Sequence, residues 1–346
     1  MTFFGRYGGQ FVPEGIHFPL KQLEEQWNAF IKSGKFEEEF QKICASLGFQ
    51  KPQFLAVKKV VAGKDIILAY NHGIFTSITL QLIFSKSVKK SMVLHAATSI
   101  ETAIISAMIA KELGIPIEIF LKSRKHGDES INLVRSLNAN VASVDESPYP
   151  IPALHAFQKW LFDPSNTYPL FEEAIGPSPF PSIVKESFSP FCNKIKSSYT
   201  ELYGGKPDLI ILSCDYTSSL AIAHYFLEND ARKIIFIERA RTDERREVTE
   251  FLGGITEVIN PGSPAQRPIP PELCYLFDQG VIERIRVSKE VESIGELIEK
   301  IVRSSRIFFT DSRIYYAIKL AAEAYCKYEN ILIFFEPDSL RCLPHE

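Results

Sequence analysis

No apolar run in the 346 residues approaches the roughly 20 that a membrane-spanning helix requires, and the N-terminus has no signal-peptide pattern. A membrane partner is therefore not expected. The six cysteines, Cys44, Cys192, Cys214, Cys274, Cys326 and Cys342, never fall in Cys-x-x-Cys spacing. This speaks against a metal cluster or disulfide framework and for reduced thiols in the cytoplasm. Charge of one sign is also missing: 39 Lys and Arg against 42 Asp and Glu leave a net charge of −3, with no basic tail. Nucleic acid is thus not an expected partner. One absence is local: from Asp65 to Ser85 there is no lysine.

What is present is the composition of an ordinary globular protein, 45% hydrophobic and 23% charged, long enough for two domains. From Lys64 the chain alternates apolar runs with helical patterns: Asp65 to Tyr70, Ile78 to Ser85, Ser91 to His95, Thr102 to Leu113, Ile117 to Leu121, Ser130 to Leu137 and Val141 to Val144. That rhythm predicts parallel βαβ units with helices on both faces of a sheet. Pro148 to Pro190 is rich in proline and aromatics and reads as a shaped connector, not a sheet strand. A second α/β block follows, with strands at Leu209 to Ser213, Lys233 to Glu238 and Ile331 to Phe335 and helices at Leu220 to Leu227 and Ile314 to Tyr325.

Two stretches are more specific. Phe4-Gly5-Arg6-Tyr7-Gly8-Gly9-Gln10-Phe11-Val12-Pro13-Glu14 opens the chain ahead of an amphipathic segment, Leu20 to Phe40. Gly176-Pro177-Ser178-Pro179-Phe180-Pro181-Ser182-Ile183-Val184-Lys185-Glu186 ends the connector. Both resemble motifs of the tryptophan synthase β chain, Phe-Gly-x-Tyr/Phe-Gly-Gly-Gln-Tyr/Phe-Val-Pro-Glu and Gly-Pro-His-Pro-Tyr-Pro-x-Met-Val-Arg-Asp-Phe, with Ser178 replacing the histidine. The resemblance runs from Phe4 to about Ser339. It implies two parallel-sheet α/β domains of fold type II, the pyridoxal-phosphate-dependent class. The domain boundaries are expected at 1–50 for an N-terminal lead-in and helix packing on the second domain, 51–185 for the first domain with its connector, and 186–346 for the second.

In that family the junction after the first strand reads Asn-His-Thr-Gly-Ser-His-Lys, and the lysine carries the cofactor as a Schiff base. Here it reads Asn71-His72-Gly73-Ile74-Phe75-Thr76-Ser77, and alignment from Gln81 to Lys86 puts the lysine position on Ile74. No other side chain supplies the primary amine an imine needs. Lys86 is on the order of 15 Å along the following helix and cannot substitute.

The other family sites are altered too. At the second junction, Leu94 to Ala103 stands for Ala-Glu-Thr-Gly-Ala-Gly-Gln-His-Gly, a loop that binds the amino acid carboxylate and carries the acid/base glutamate. Ala96 takes the glutamate position, while Thr98, Ile100 and Ala103 take those of the glycines; Glu101 reads as a solvated helix-start acid. The phosphate cup Gly-Gly-Gly-Ser-Asn corresponds to Asp215-Tyr216-Thr217-Ser218-Ser219, where Asp215 would repel a phosphate and Ser218 and Ser219 read as helix caps. Glu336 falls near the family's serine at the pyridine nitrogen. The family's long insertion ahead of Pro270-Pro271-Glu272-Leu273-Cys274-Tyr275-Leu276 is largely missing.

With lysine, glutamate, loop and cup changed together, the expectation is a chain that does not bind pyridoxal phosphate in the family's manner. It would need no cofactor or metal and act as a binding or regulatory pseudoenzyme. The resemblance implies a homodimer or a complex with tryptophan synthase α or β chains; a small-molecule ligand is a further expectation. The alternative is replaced, cofactor-independent chemistry using His72, His95, Glu101, Cys214 or Asp215, which all fall at the C-terminal ends of strands. An active tryptophan synthase β chain is the third reading.

Overall fold

Parallel strands that are apolar on both faces need cover on both, and helices in the crossover connections supply it. In the computed structural model this arrangement occurs twice. The structure describes residues 2–47, 54–61, 64–70, 73–122, 127–144, 152–228, 231–239, 244–261, 266–287, 299, 301, 307–324, 327–328, 330–335 and 340–342. The chain divides into two units. Met1–Phe49, Ile74–Phe188 and Arg245–Tyr275 form the first; Gln50–Gly73, Ser189–Glu244 and Leu276–Glu346 form the second. Both are discontinuous, where the sequence reading drew continuous domains and set the N-terminal helix on the second.

In the first unit a four-stranded sheet runs in the order Asn140–Ser143, Ile117–Leu121, Met92–Ala96, Thr167–Phe171, all parallel. The last of these lies inside the stretch read as a connector, which corrects that reading. Pro169 sits opposite Leu94 on an edge strand, the place in a sheet where a missing N–H is tolerated. The same stretch holds the helices Pro152–Phe162 and Phe180–Ser187.

A second, antiparallel sheet in this unit joins Phe3–Phe4 and Tyr7–Gly8 to the hairpin Arg246–Phe251 and Gly254–Ile259. Here the two motifs that carry the resemblance meet. Ser178 N donates to Gly9 O (3.0 Å), and Gln10 Nε2 donates to Ser178 O (2.6 Å). Gly9 has φ +94° and a Cβ there would lie 2.7 Å from the Phe11 ring; a Cβ on Gly254 would lie 2.5 Å from Gly176 O. Glycine is thus required by backbone conformation at one position and by close approach at the other.

The amphipathic segment at the N-terminus becomes two helices, Glu14–Ser33 and Glu37–Ser46, separated at Gly34 in the left-handed conformation. The first buries Ile16, Leu20, Leu23 and Trp27. Trp27 donates its indole N–H to Glu186 (2.7 Å) and meets Phe84 edge-on at 5.0 Å, contacts made within the first unit.

The second unit is a six-stranded sheet, Ile282–Val287, Lys233–Arg239, Leu209–Ser213, Ile331–Phe335, Lys64–Tyr70, Phe54–Val61, parallel except for the final pair. Alternate residues Leu209, Ile211, Ile235, Ile237, Ile331, Ile333 and Phe335 pack in one core with Ile314, Tyr315, Ala317, Ile318 and Ala321. The period of two in the strands and the 3.6-residue stripe in the helix Ser312–Ala324 bring these sets face to face. No helix among the described residues is long and apolar enough to cross a membrane.

Candidate functional site

Strands Met92–Ala96 and Thr167–Phe171 pair in parallel and end together, Ala96 opposite Phe171. Whatever follows each strand therefore meets at the sheet's C-terminal edge, where α/β proteins gather functional groups. After the first comes the turn Ala97–Ser99 and the helix Ile100–Leu113; after the second comes Glu172. His95 is wholly buried, with Nδ1 2.8 Å from Ser106 Oγ and Nε2 2.9 Å from Glu172 Oε1. The Thr98 amide donates to Glu172 Oε1 (3.3 Å), and the Thr98 hydroxyl donates to Glu172 Oε2. Glu172 itself is only 4% exposed.

Other donors of this turn are also occupied. Ala97 N donates to Phe120 O (3.1 Å), Ser99 N to Thr102 Oγ1 (3.3 Å), and Thr102 N back to Ser99 Oγ (3.2 Å), closing a capping box. Ala96 ends the strand and is buried; Glu101 is exposed in the helix's first turn. Beside Glu172 is a cavity of about 30 Å³ lined by Ala96, Thr98, Pro152, Ala153, Phe171 and Glu173. That is room for a water-sized molecule. Glu172 escaped the sequence reading because its partners lie up to 77 residues away and the stretch holding it reads as a connector. A carboxylate directly after an apolar run was the only available sign.

Ile74 stands half-buried in the first turn of the helix Gly73–Ser87. From Ser77 to Ser85 this helix is buried all round, so its polar groups need internal partners. Gln81 donates to Phe171 O (3.0 Å) and accepts from Tyr168 OH (3.0 Å), and Ser77 Oγ lies 2.5 Å from Ser187 Oγ. Burial holds the Tyr168 phenol far above its ordinary pKa. Nearby, Lys185 and Glu272 form a buried ion pair at 2.8 Å.

In the second unit, Leu209–Ser213 leads through Cys214 and Asp215 into the helix Tyr216–Leu227. Asp215 is the N-cap: Ser218 N donates to Asp215 Oδ1 at 2.8 Å. The expectation that Ser218 and Ser219 cap the helix is corrected, since both lie inside it and are buried. Cys214 is fully buried with Sγ 3.2 Å from Ser219 Oγ, a packed thiol. Tyr216 OH donates to Glu238, which is held by Arg284 through Nε and Nη2 (2.9 Å each) and by Arg286 (3.2 Å). An anion at the Ser218 amide would face the Asp215 carboxylate at once. Two unit charges about 4 Å apart repel by about 4 kcal/mol at an effective dielectric of 20.

His72 and Glu336 lie outside the described residues. Of the other sequence candidates, His95 joins a network built on Glu172, and Cys214, Asp215, Ser218 and Ser219 share one turn. Among the described residues no group of three His, Cys, Asp or Glu side chains is arranged to hold a metal.

Parallel sheets covered by helices, twice over, define an α/β protein whose strand-to-helix turns have donors taken by the protein's own groups. No protein-family profile matches the chain. It is 24% identical over 271 residues to the tryptophan synthase β chain of Fusobacterium nucleatum, covering 73% of this chain and 68% of that one. Tryptophan synthase β chains from two strains of Staphylococcus epidermidis are 26% identical over 247 residues, covering 67% of this chain and 61% of theirs. The chain thus spans about three fifths of the Staphylococcus proteins. The chain is distantly similar to tryptophan synthase β chains over about 70% of its length.

Proposed function

We propose that this chain is a tryptophan synthase β-like binding or regulatory protein that does not hold pyridoxal phosphate in the family's manner and does not carry out serine β-replacement. The observation that carries the reading is the Asp215 carboxylate seated 2.8 Å from the Ser218 amide. The turn that would cradle a phosphate dianion is capped by an anion of the protein's own. Two further features agree with it. Ile74 offers no amine at the lysine position, and the donors of the carboxylate loop are taken by Glu172, Ser99 and Thr102. These residues do not fit the cofactor.

Replaced chemistry at His95 is disfavoured, because both ring nitrogens are engaged and the ring is wholly buried. A second copy of this chain, or a tryptophan synthase α or β chain, is the partner that the resemblance suggests. The test is the absorbance spectrum of the purified protein with added pyridoxal phosphate, before and after borohydride, alongside its native mass with and without candidate chains. No reducible visible band, and a mass increase with a partner, is the expected result. A reducible band fixed covalently to the chain would overturn the reading.

A further inference from the structure

The donors that converge on Glu172 have the composition of an anion site: a backbone amide near a helix start, a hydroxyl, and an imidazole braced from behind by Ser106. We propose that Glu172 is a built-in occupant of this turn, filling with its own carboxyl group the place where related chains receive a small carboxylate. Removal of the side chain should therefore create a binding site for a free monocarboxylate. The proposal rests on the reading of Ala97–Ser99 as the counterpart of the family's carboxylate loop.

The atoms support a specific ligand. Truncating glutamate to alanine deletes the γ-methylene and the carboxyl group, which together have the heavy-atom skeleton of acetate. Both carboxyl oxygens are used, Oε1 by His95 Nε2 (2.9 Å) and Thr98 N (3.3 Å), and Oε2 by the Thr98 hydroxyl. An acetate ion in the vacated volume would meet the same donors. The adjoining cavity of about 30 Å³ gives it slack without opening the site widely. Were the carboxyl group absent and unreplaced, the buried His95 and Thr98 groups would each lose a partner, which is costly in a buried setting. Wild-type protein, its turn already filled, should ignore added carboxylates.

The experiment compares wild type with Glu172→Ala by thermal melting at constant ionic strength, titrating acetate, formate and the uncharged isostere acetamide. Wild type should not respond. Glu172→Ala should melt lower and be restored progressively by acetate, less by formate and not by acetamide. At ten times the dissociation constant, the folding equilibrium should shift by roughly tenfold. Equal effects of acetate and acetamide, or a wild-type response matching the variant's, would overturn the proposal. If the variant is recovered only when refolded with acetate, the proposal is supported. If it is insoluble under every condition while Glu172→Gln folds, the proposal is overturned. A reducible band with pyridoxal phosphate would sink the functional reading without changing these carboxylate titrations, so the two failures are distinguishable.

Discussion

Lys185 and Glu272 meet at 2.8 Å with side chains 8% and 11% exposed, a buried ion pair little screened by solvent. Lys185→Met should take the cation away from the buried Glu272 carboxylate, at a cost of about 3–5 kcal/mol in a denaturant titration. Adding Glu272→Leu should return most of that loss, because an apolar pair needs no compensation. At the lysine position the expectation is a null result. Ile74→Lys supplies an amine but leaves Asp215 on the Ser218 amide, so borohydride should still fix no pyridoxal phosphate; covalent labelling in intact mass spectrometry would show that the amine alone was missing. What the sequence shows at this scale is identity: isoleucine at 74, alanine at 96 and aspartate at 215 are visible without coordinates. What it hides is partnership. Glu172 acquires its meaning only because two strands far apart in sequence end side by side.

Helix starts are where the elements carry local, measurable energy. Ser99 closes a capping box with Thr102, and Asp215 caps the helix Tyr216–Leu227. Ser99→Ala and Asp215→Ala should each lower unfolding free energy by about 1 kcal/mol, read from urea midpoints at unchanged slope. Most elements were legible from periodicity, including Ile117–Leu121, Leu209–Ser213 and Ile331–Phe335, because a buried parallel strand is a short continuous apolar run. Thr167–Phe171 was not, because Pro169 argues against a strand unless the strand lies at an edge, and edge position is a property of the whole sheet. The cap at Asp215 was missed for a smaller reason: Asp215, Thr217, Ser218 and Ser219 compete at that helix start, and only the entry angle of the chain decides among them.

Across the whole molecule, burial of acidic hydrogens is expected to weaken the fold at alkaline pH. Burial raises the pKa of the Tyr168 phenol in the first unit and of the Cys192 thiol in the second. Once the pH passes the unfolded-state values, about 8.5 for the thiol and 10 for the phenol, unfolded chains release these protons while folded chains keep them. Folding then binds protons, so stability is full below those values and falls with rising pH by up to about 1.4 kcal/mol per pH unit for each group. Denaturant titrations from pH 7 to pH 11 should show this decline, and Cys192→Ala should delay its onset. Two α/β units were legible from the alternation of elements, but their composition was not, since it depends on the pairing of Gly8 with Ile255. That pairing also bears on synthesis. The polypeptide passes between the units after Phe49, Gly73, Phe188, Glu244 and Tyr275, so no single cut releases either unit whole. The strand Tyr7–Gly8 must wait for a hairpin partner made about 250 residues later. At ribosomal speeds of about 5–20 residues per second, that is a delay of tens of seconds, during which Gly8 and the Phe11 amide lack their hairpin partners Ile255 and Gly253.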